Sequence, residues 1–388
     1  MNRKMPYDQI LVMVVLILVG IGLVLVFSAS PVMSKEIYGT SAGIFARQLI
    51  AVLLGLLLLL LAMRTDYHRY ANEWVVYGSF VLVIGLLAWV LINPDVNGAS
   101  RWIHLGPARF QPSEAAKLVA VFMLSFLLTR KGGQIDRLDR QLITALGLIG
   151  VLILLVGIEP DLGTSISLLV TAGILLFIAG LNYRYYLLLL LASIPLYYFL
   201  VHQVPYRRAR IEAFLDPQAD PFDTGYHILQ SLVAVGSGGL MGKGLAQGTQ
   251  KLFFLPEPHT DFIYAVLGEE YGLLGCVTVL LLFAVFICRG IQISMRADSI
   301  FGTYLGLGVV TMIGFQALLN MSVVLGLCPT KGIPLPFLSV GGSSAVIMLM
   351  SVGILLNISR HSRGQLAARA KPAVPGKSTS QKLKWEER

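Results

Sequence analysis

The run DQILVMVVLILVGIGLVLVFSAS, residues 8–30, decides the class of fold. After Asp8 it contains no charged side chain. A helix rising 1.5 Å per residue needs about twenty apolar residues to cross a hydrocarbon core about 30 Å thick, and this run supplies them. Comparable runs recur to the far end of the chain. They read as ten spans, at 8–30, 43–63, 73–92, 113–129, 141–157, 162–180, 185–201, 262–288, 300–328 and 338–358. Of 388 residues, 56% are hydrophobic and 13% charged, at a mean hydropathy of +0.75. A soluble domain would carry about 25% charged residues. An all-α polytopic membrane protein is expected, with residues 1–360 as its ten-helix domain.

Charge placement sets the orientation. The net charge of +9 raises the question of a nucleic-acid partner, and the distribution answers against one. Arg3, Lys4, Arg64, Arg69, Arg130, Lys131, Arg137, Arg140, Arg184, Arg289 and Arg296 fall on one side of the ten spans, as does the tail after Arg360. The short loops opposite hold Lys35, Arg101, Arg109 and Lys331. Basic short loops stay cytoplasmic, so both termini are expected in the cytoplasm and the long loop 202–261 outside. Arg3-Lys4 and Ser28-Ala29-Ser30 outline a signal peptide, but the apolar run exceeds the usual 7–15 or so residues; an uncleaved first span fits better. Cys276, Cys288 and Cys328 lack metal or disulfide spacing and read as small apolar fillers. The basic tail 361–388 has too few aliphatic residues to order itself and is expected to be disordered.

The loop 202–261 is too apolar for disorder. Tyr226–Val235 is long enough for a short helix ending at a glycine cluster, and the loop is expected to rest on the membrane as a structured lid. Ser237-Gly238-Gly239-Leu240-Met241-Gly242-Lys243-Gly244 approximates a phosphate-binding loop, but Ser237 replaces its first glycine and Gly244 its hydroxyl residue. Those glycines fit tight turns or close backbone approach instead. The span that follows would be about 40 Å long against about 30 Å of hydrocarbon. Its excess is expected to project outward, with Asp261 at the tip and Glu269 and Glu270 nearer the interface, just before Gly272.

Polar residues crowd into two stretches. One joins Arg207, Arg208 and Arg210 to the segment Leu255–Phe262, which holds Glu257, His259 and Asp261. The other runs from Pro329 through Lys331 to Pro336 and on to Gly341-Gly342-Ser343-Ser344. Charge near a bilayer is costly and is kept for transport, catalysis or anion binding. Asp261 reads either as a helix N-cap or as a general base, with His259 in reserve and Glu257 orienting. The arginines read either as anchors on lipid headgroups or as bidentate grips on a pyrophosphate. Lys331 sits in a proline-bounded turn, and Ser343 and Ser344 open a last helix whose free N–H groups favour an anion. Glu114 and Lys117 read as an intrahelical pair, and Asp161 as a cap.

At these residues the chain resembles the SEDS family (shape, elongation, division and sporulation), the peptidoglycan polymerases that include FtsW and RodA. The resemblance rests on Asn97-Gly98-Ala99-Ser100-Arg101-Trp102, Phe110-Gln111-Pro112-Ser113-Glu114, Pro160-Asp161-Leu162-Gly163-Thr164, Gly225-Tyr226-His227, Leu255 to Phe262, Gly268-Glu269-Glu270 and Gly341-Gly342-Ser343-Ser344. Pro329-Thr330-Lys331-Gly332 and Gln250-Lys251-Leu252 are similar to the division branch or its sporulation relative, whereas Asp216-Pro217 and Gly236 to Leu240 are closer to RodA. Val340 stands where the family usually has Tyr, and Glu159 where Gln is common. The resemblance implies a bacterial inner-membrane enzyme that polymerises lipid II by inverting transfer, with Asp261 as its catalytic aspartate. It implies Arg207, Arg208, Arg210 and Lys331 on pyrophosphate, and Trp102 among the supporting residues. A divalent cation, Mg or Mn, is compatible with the pyrophosphate, but no ligand cluster demands one. A class B penicillin-binding transpeptidase and other division membrane proteins are the implied partners. Gly272, Gly275, Gly302, Gly306 and Gly308 offer either a docking face for the partner's helix or close packing within the bundle. A lipid II flippase and a RodA-type elongation enzyme are the alternatives; dense charge on one face favours the enzyme over a transporter.

Overall fold

The computed structural model describes residues 7–93, 101–106, 108–130, 132, 140–159, 161–202, 205–252 and 254–369. Asn97 to Ser100, Pro160 and the tail from 370 to 388, all part of the sequence reading, lie outside the described residues.

Helix starts follow local hydrogen bonding. Asp8 accepts from Leu11 N and opens α1 (Gln9–Ala29), a short α2 (Pro31–Tyr38) follows, and α3 (Gly43–Arg64) returns. Asn72 caps α4 (Glu73–Ile92), and a hairpin of β1 (Ile103–Leu105) and β2 (Ala108–Phe110) leads into α5 (Pro112–Arg130). Asp161 joins α6 (Arg140–Ile158) to α7 (Leu162–Ile178) as the cap of the latter, the role expected of it. Then come α8 (Tyr183–His202), α9 (Pro205–Leu215) and α10 (Tyr226–Ser237). The bundle closes with α11 (Ile263–Met295), α12 (Ile300–Val324), capped by Ser299, and α13 (Gly342–Arg369).

Seven of the described helices, α1, α3, α4, α5, α11, α12 and α13, have the length and apolar composition to cross a membrane. The apolar parts of α6 and α7 are shorter, so the structure supports a polytopic helical fold with fewer unambiguous crossings than ten. α5, α12 and α13 form the buried centre, while α1, α3, α4 and α11 turn much of their surface outward. α12 packs on α5, α7 and α11, and α13 lies along α3. The last helix starts later than expected, at Gly342, and stays helical to Arg369, within the segment assigned to the tail.

The long helix departs most from the sequence reading. At Gly272 the backbone of α11 leaves the helical region (φ 64°, ψ −161°), a conformation open to glycine and costly for other residues. The glycine-rich segment fills the gap. Leu273 N donates to Gly239 O at 2.9 Å, while Lys243 N and Gly244 N donate to Glu269 O and Glu270 O at 3.0 Å each. A Cβ on Gly242 would lie 2.2 Å from Glu270 O. Close backbone approach, one of the two uses expected of these glycines, is what the segment does.

Two buried carboxylates pin the same segment. Glu269 accepts from Lys243 Nζ at 2.8 Å and from Thr249 N at 2.9 Å. Glu270 accepts from Lys251 Nζ at 2.6 Å and from Ser28 Oγ of α1 at 2.6 Å. Of the glycines offered for partner docking, those of α12 face the chain itself: a Cβ on Gly302 would meet Tyr67, on Gly306 Ser294, and on Gly308 Val121. Close packing within the bundle is the use the structure makes of them.

Breaking a buried ion pair on one side leaves an uncompensated charge, at a cost of about 3–5 kcal/mol, whereas apolar replacement of both partners is often neutral. Glu270→Leu is therefore expected to lower the thermal midpoint strongly, and Lys251→Met with Glu270→Leu to recover most of the loss. Additive losses in the double variant would show that the pair does not pin the loop to α1 and α11.

Candidate functional site

The crowded polar stretches meet at one end of the bundle. Asp261 lies one residue before the N-cap of α11, which is Phe262 and makes no side-chain cap bond. The capping alternative for Asp261 is therefore not realised. Its Oδ2 lies 3.4 Å from where a Cβ on Gly332 would sit, so the 329–336 turn faces the carboxyl directly. Asn320 of α12 clamps the two segments together, its Nδ2 donating to Asp261 O and to Ile333 O at 2.8 Å each. Four residues earlier, on the same face of α12, Gln316 donates to Pro334 O at 2.9 Å and accepts from Lys117 Nζ at 2.6 Å. Lys117 also donates to Glu114 at 2.9 Å, the expected pair. Gln316 and Asn320 escaped the sequence reading; two amides four apart inside an apolar span were the available signal.

Arg210 of α9 donates to Thr330 O at 3.2 Å, so α9 is tied to the same turn. Arg207 reaches the end of α6, donating to Gly157 O at 3.0 Å. Arg208 differs from both: it is exposed and pairs with Glu212 along its own helix at 2.7 Å. His259 is buried and its backbone O accepts from Val340 N at 2.9 Å, while its Nε2 lies 3.7 Å from Glu257. Glu257 is exposed and held at a positive φ of 47°, a strained conformation of the kind that clusters at functional sites. His227 stacks on Phe262 with ring centroids 6.0 Å apart, which brings α10 to the same place.

The first turn of α13 completes the frame. Ser343 Oγ accepts from Gln111 N at 3.0 Å and donates to Arg109 O at 3.2 Å, so this hydroxyl binds the hairpin rather than standing open. Ser344 is buried beside it, and Trp102 is half-buried just before β1. Asp161 accepts from Gln111 Nε2 at 3.0 Å and from Thr164 Oγ1 at 2.9 Å in addition to its cap.

The electrostatics single out three groups. Burial pushes the Asp261 carboxyl up to about 7; Glu257 and Asp161 add to the rise, and Arg210 and Arg101 oppose it. Burial pulls the Lys331 ammonium down to about 8, with Cys328 acting the other way. Glu159 is pushed up to about 8 by burial and by Asp161, against Arg101, and neither of its oxygens has a hydrogen-bond partner among the described residues. A carboxylic acid neutral at pH 7 has the shape and polarity of an amide, which accounts for Glu159 where the family commonly has Gln. The site thus offers a carboxylate poised near neutrality, with the Arg210 and Arg101 guanidiniums acting on it and Lys331 on the adjoining turn. Among the described residues, the grouping with metal-ligand spacing (Asp66, His68 and His361) lies elsewhere.

Comparison with known proteins agrees along more than nine-tenths of the chain. The family described as a cell cycle protein, grouping FtsW, RodA and SpoVE, matches residues 8–364. A probable peptidoglycan glycosyltransferase FtsW of Geobacter sp. (strain M18) is 41% identical over 368 residues, 94% of this chain and 100% of the relative. Stage V sporulation protein E of Bacillus subtilis (strain 168) is 41% identical over 367 residues, 93% of this chain and 99% of the relative. Rod shape determining protein RodA of Thermus thermophilus is similar at TM-score 0.67 and 29% identity, over 91% of this chain and 97% of that one. A chain from a study of how a peptidoglycan synthase complex coordinates polymerization and crosslinking gives TM-score 0.73 and 30% identity, over 91% and 98%.

The raised Asp261 has a consequence for stability. Its carboxyl titrates at about 7 in the folded chain against an ordinary 3.8, so the folded state holds the proton more tightly. Stability present at low pH is then lost as pH rises from 3.8 to about 7. Asp261→Asn is expected to raise the thermal midpoint more at pH 8 than at pH 5. A midpoint that falls, or rises equally at both, would mean that burial does not hold the carboxyl protonated.

Proposed function

Because the chain belongs to the FtsW, RodA and SpoVE family, we propose that it is a peptidoglycan glycosyltransferase that polymerises lipid II, with Asp261 as its general base. The observation that carries this reading is the half-buried Asp261, facing the Lys331 turn and tied through Asn320 to the same loop. The substrate is a disaccharide-pentapeptide on undecaprenyl pyrophosphate, whose sugar must lie at the membrane edge. The 4-hydroxyl of an incoming glucosamine attacks C1 of the growing strand's muramyl sugar. Asp261 takes the hydroxyl proton as the new C1–O bond forms. The bond from C1 to the pyrophosphate breaks, its electron pair leaves with undecaprenyl pyrophosphate, and an α-linked donor gives a β-1,4 product. No covalent enzyme intermediate is needed, and pyrophosphate leaves without a strong general acid.

A base titrating at about 7 is matched to chemistry at neutral pH. Arg210 and Lys331 are the cations best placed for the pyrophosphates, where preorganised charge acts on charge developing in the transition state. Arg207 supports the end of α6, and exposed Arg208 contacts headgroups. The ten spans rest on the apolar runs, the cytoplasmic termini and outward-facing 202–261 loop on the charge distribution, and the bacterial inner membrane on the family. The two segments at 250–252 and 329–332, similar to the division branch and its sporulation relative, favour a septal role, beside a class B penicillin-binding transpeptidase. RodA-type elongation is the alternative.

The test is purified protein with lipid II in detergent. Wild type should yield glycan strands, and Asp261→Asn should slow them by about 10²–10⁴-fold, the usual contribution of a general base. Retention of more than about a tenth of the activity would remove Asp261 from the chemistry. Arg210→Lys should also lose activity, because Lys keeps the charge but not the bidentate fork, whereas Arg208→Lys should match wild type. Equal activity at both positions would reduce the arginines to headgroup attraction. A reporter fused near Asp220 should read extracytoplasmic; a cytoplasmic signal would put every site residue on the wrong side.

A further inference from the structure

A second cluster of polar side chains lies at the end of the bundle opposite Asp261. Asp66 and His68 sit in the short connection after α3, Asp298 in the connection from α11 to α12, and His361 toward the end of α13. Asp66 Oδ1 lies 2.7 Å from His68 Nδ1 and 3.7 Å from His361 Nε2. His68 Nε2 lies 4.0 Å from Asp298 Oδ1. One ligand atom from each of Asp66, His68 and His361 falls within 4.8 Å of the others.

The scaffold around them is rigid and orients them from outside the cluster. His361 Nδ1 is 3.0 Å from Asn357 O, an acceptor only, so Nδ1 donates there and Nε2 is the nitrogen turned toward Asp66. A backbone carbonyl on the far nitrogen is how metal-bound histidines are usually held. Buried Asn357 fixes the geometry further: its Oδ1 accepts from Tyr67 N at 3.0 Å, and its Nδ2 donates to Met63 O at 2.8 Å. The Tyr67 hydroxyl donates to Asp298 and lies 2.9 Å from Ser299 Oγ. Tyr67 is fully buried against Gly302, so the connection cannot drift from α12.

We propose that Asp66, His68 and His361 bind a divalent transition-metal ion of the zinc class, which staples the α3–α4 connection to the end of α13. Two imidazoles and a carboxylate suit zinc over magnesium, which prefers oxygen ligands. Bonds of about 2.0–2.1 Å in tetrahedral geometry place ligand atoms about 3.3 Å apart, between the 2.7 Å and 3.7 Å seen around Asp66. The ion takes the place of the direct contact between His68 Nδ1 and Asp66 Oδ1. The fourth position is left to water, while Asp298 lies 4.0 Å from the far nitrogen of His68. The side chains of Asp66 and His68 are 48% and 45% exposed, so an ion can enter without the bundle opening. The site is independent of the sugar chemistry at the other end.

The test is metal binding by the full-length protein in detergent, after chelator treatment and removal of the chelator. Calorimetry with Zn²⁺ should give one ion per chain, Co²⁺ should give the visible absorption of a tetrahedral complex, and Mg²⁺ should give neither. His361→Gln and Asp66→Asn should each weaken Zn²⁺ binding at least about tenfold, the scale on which even outer partners of a metal site act. Asn still caps the turn as Asp66 does, so Asp66→Asn decides the matter if His361→Gln misfolds. Absence of Zn²⁺ binding, or binding that both substitutions leave unchanged, would overturn the proposal and leave the cluster as histidine–carboxylate ion pairs.

Discussion

The fold depends on a break in one helix. α11 carries too many residues for one crossing, and at Gly272 its backbone turns out of the helical region. The hydrogen bonds this frees are taken up by residues 239–244, and in a membrane such groups must be satisfied internally. Glu269 and Glu270, buried immediately before the break, then recruit Lys243 and Lys251 from the same segment. The loop after α10 is thus docked by backbone and by charge together. Its docking sets the path of residues 254–261 and so delivers Asp261 to the mouth of the bundle.

Once Asp261 is delivered, its surroundings set its chemistry. The site draws on five parts of the chain: the start of α11, the turn at 329–336, α9, the end of α6 and the first turn of α13. Each is tied to a neighbour by a hydrogen bond to a backbone carbonyl or amide, through Asn320, Gln316, Arg210, Arg207 or Ser343. These are fixed dipoles in place before any substrate arrives, which is how preorganised sites avoid reorganisation during reaction. Burial raises one carboxyl to about 7 and another, Glu159, to about 8. One of the two is ready to exchange a proton at neutral pH; the other stays protonated and acts as an amide would.

Much of this was legible in the sequence, because apolar runs and clustered charge are local signals. The run at 8–30, the short helix at 226, the cap at Asp161, the Glu114–Lys117 pair and the two polar stretches around Asp261 and Lys331 could all be read that way. Other features depend on partners distant in sequence. The break at Gly272 needs the 239–244 segment, the separation of Arg208 from Arg210 depends on which face α9 presents, and Ser343 is taken by a hairpin the sequence did not announce. The glycines of α12 look alike in sequence whether they face lipid or the bundle; Tyr67, Ser294 and Val121 decide that they face the bundle. The cluster at Asp66, His68 and His361 spans nearly 300 positions and has no local spacing to reveal it.

The central claim is that a carboxyl held near neutrality by burial removes the proton from the acceptor hydroxyl. The pH dependence of the initial rate of lipid II polymerisation tests it most directly, with substrate saturating and the fold checked at each pH. A single ionisation near 7 is predicted, the rate falling about tenfold for each pH unit below it, as loss of one essential base requires. A rate that stays level down to about pH 5 would contradict it, since an ordinary carboxylate remains ionised there.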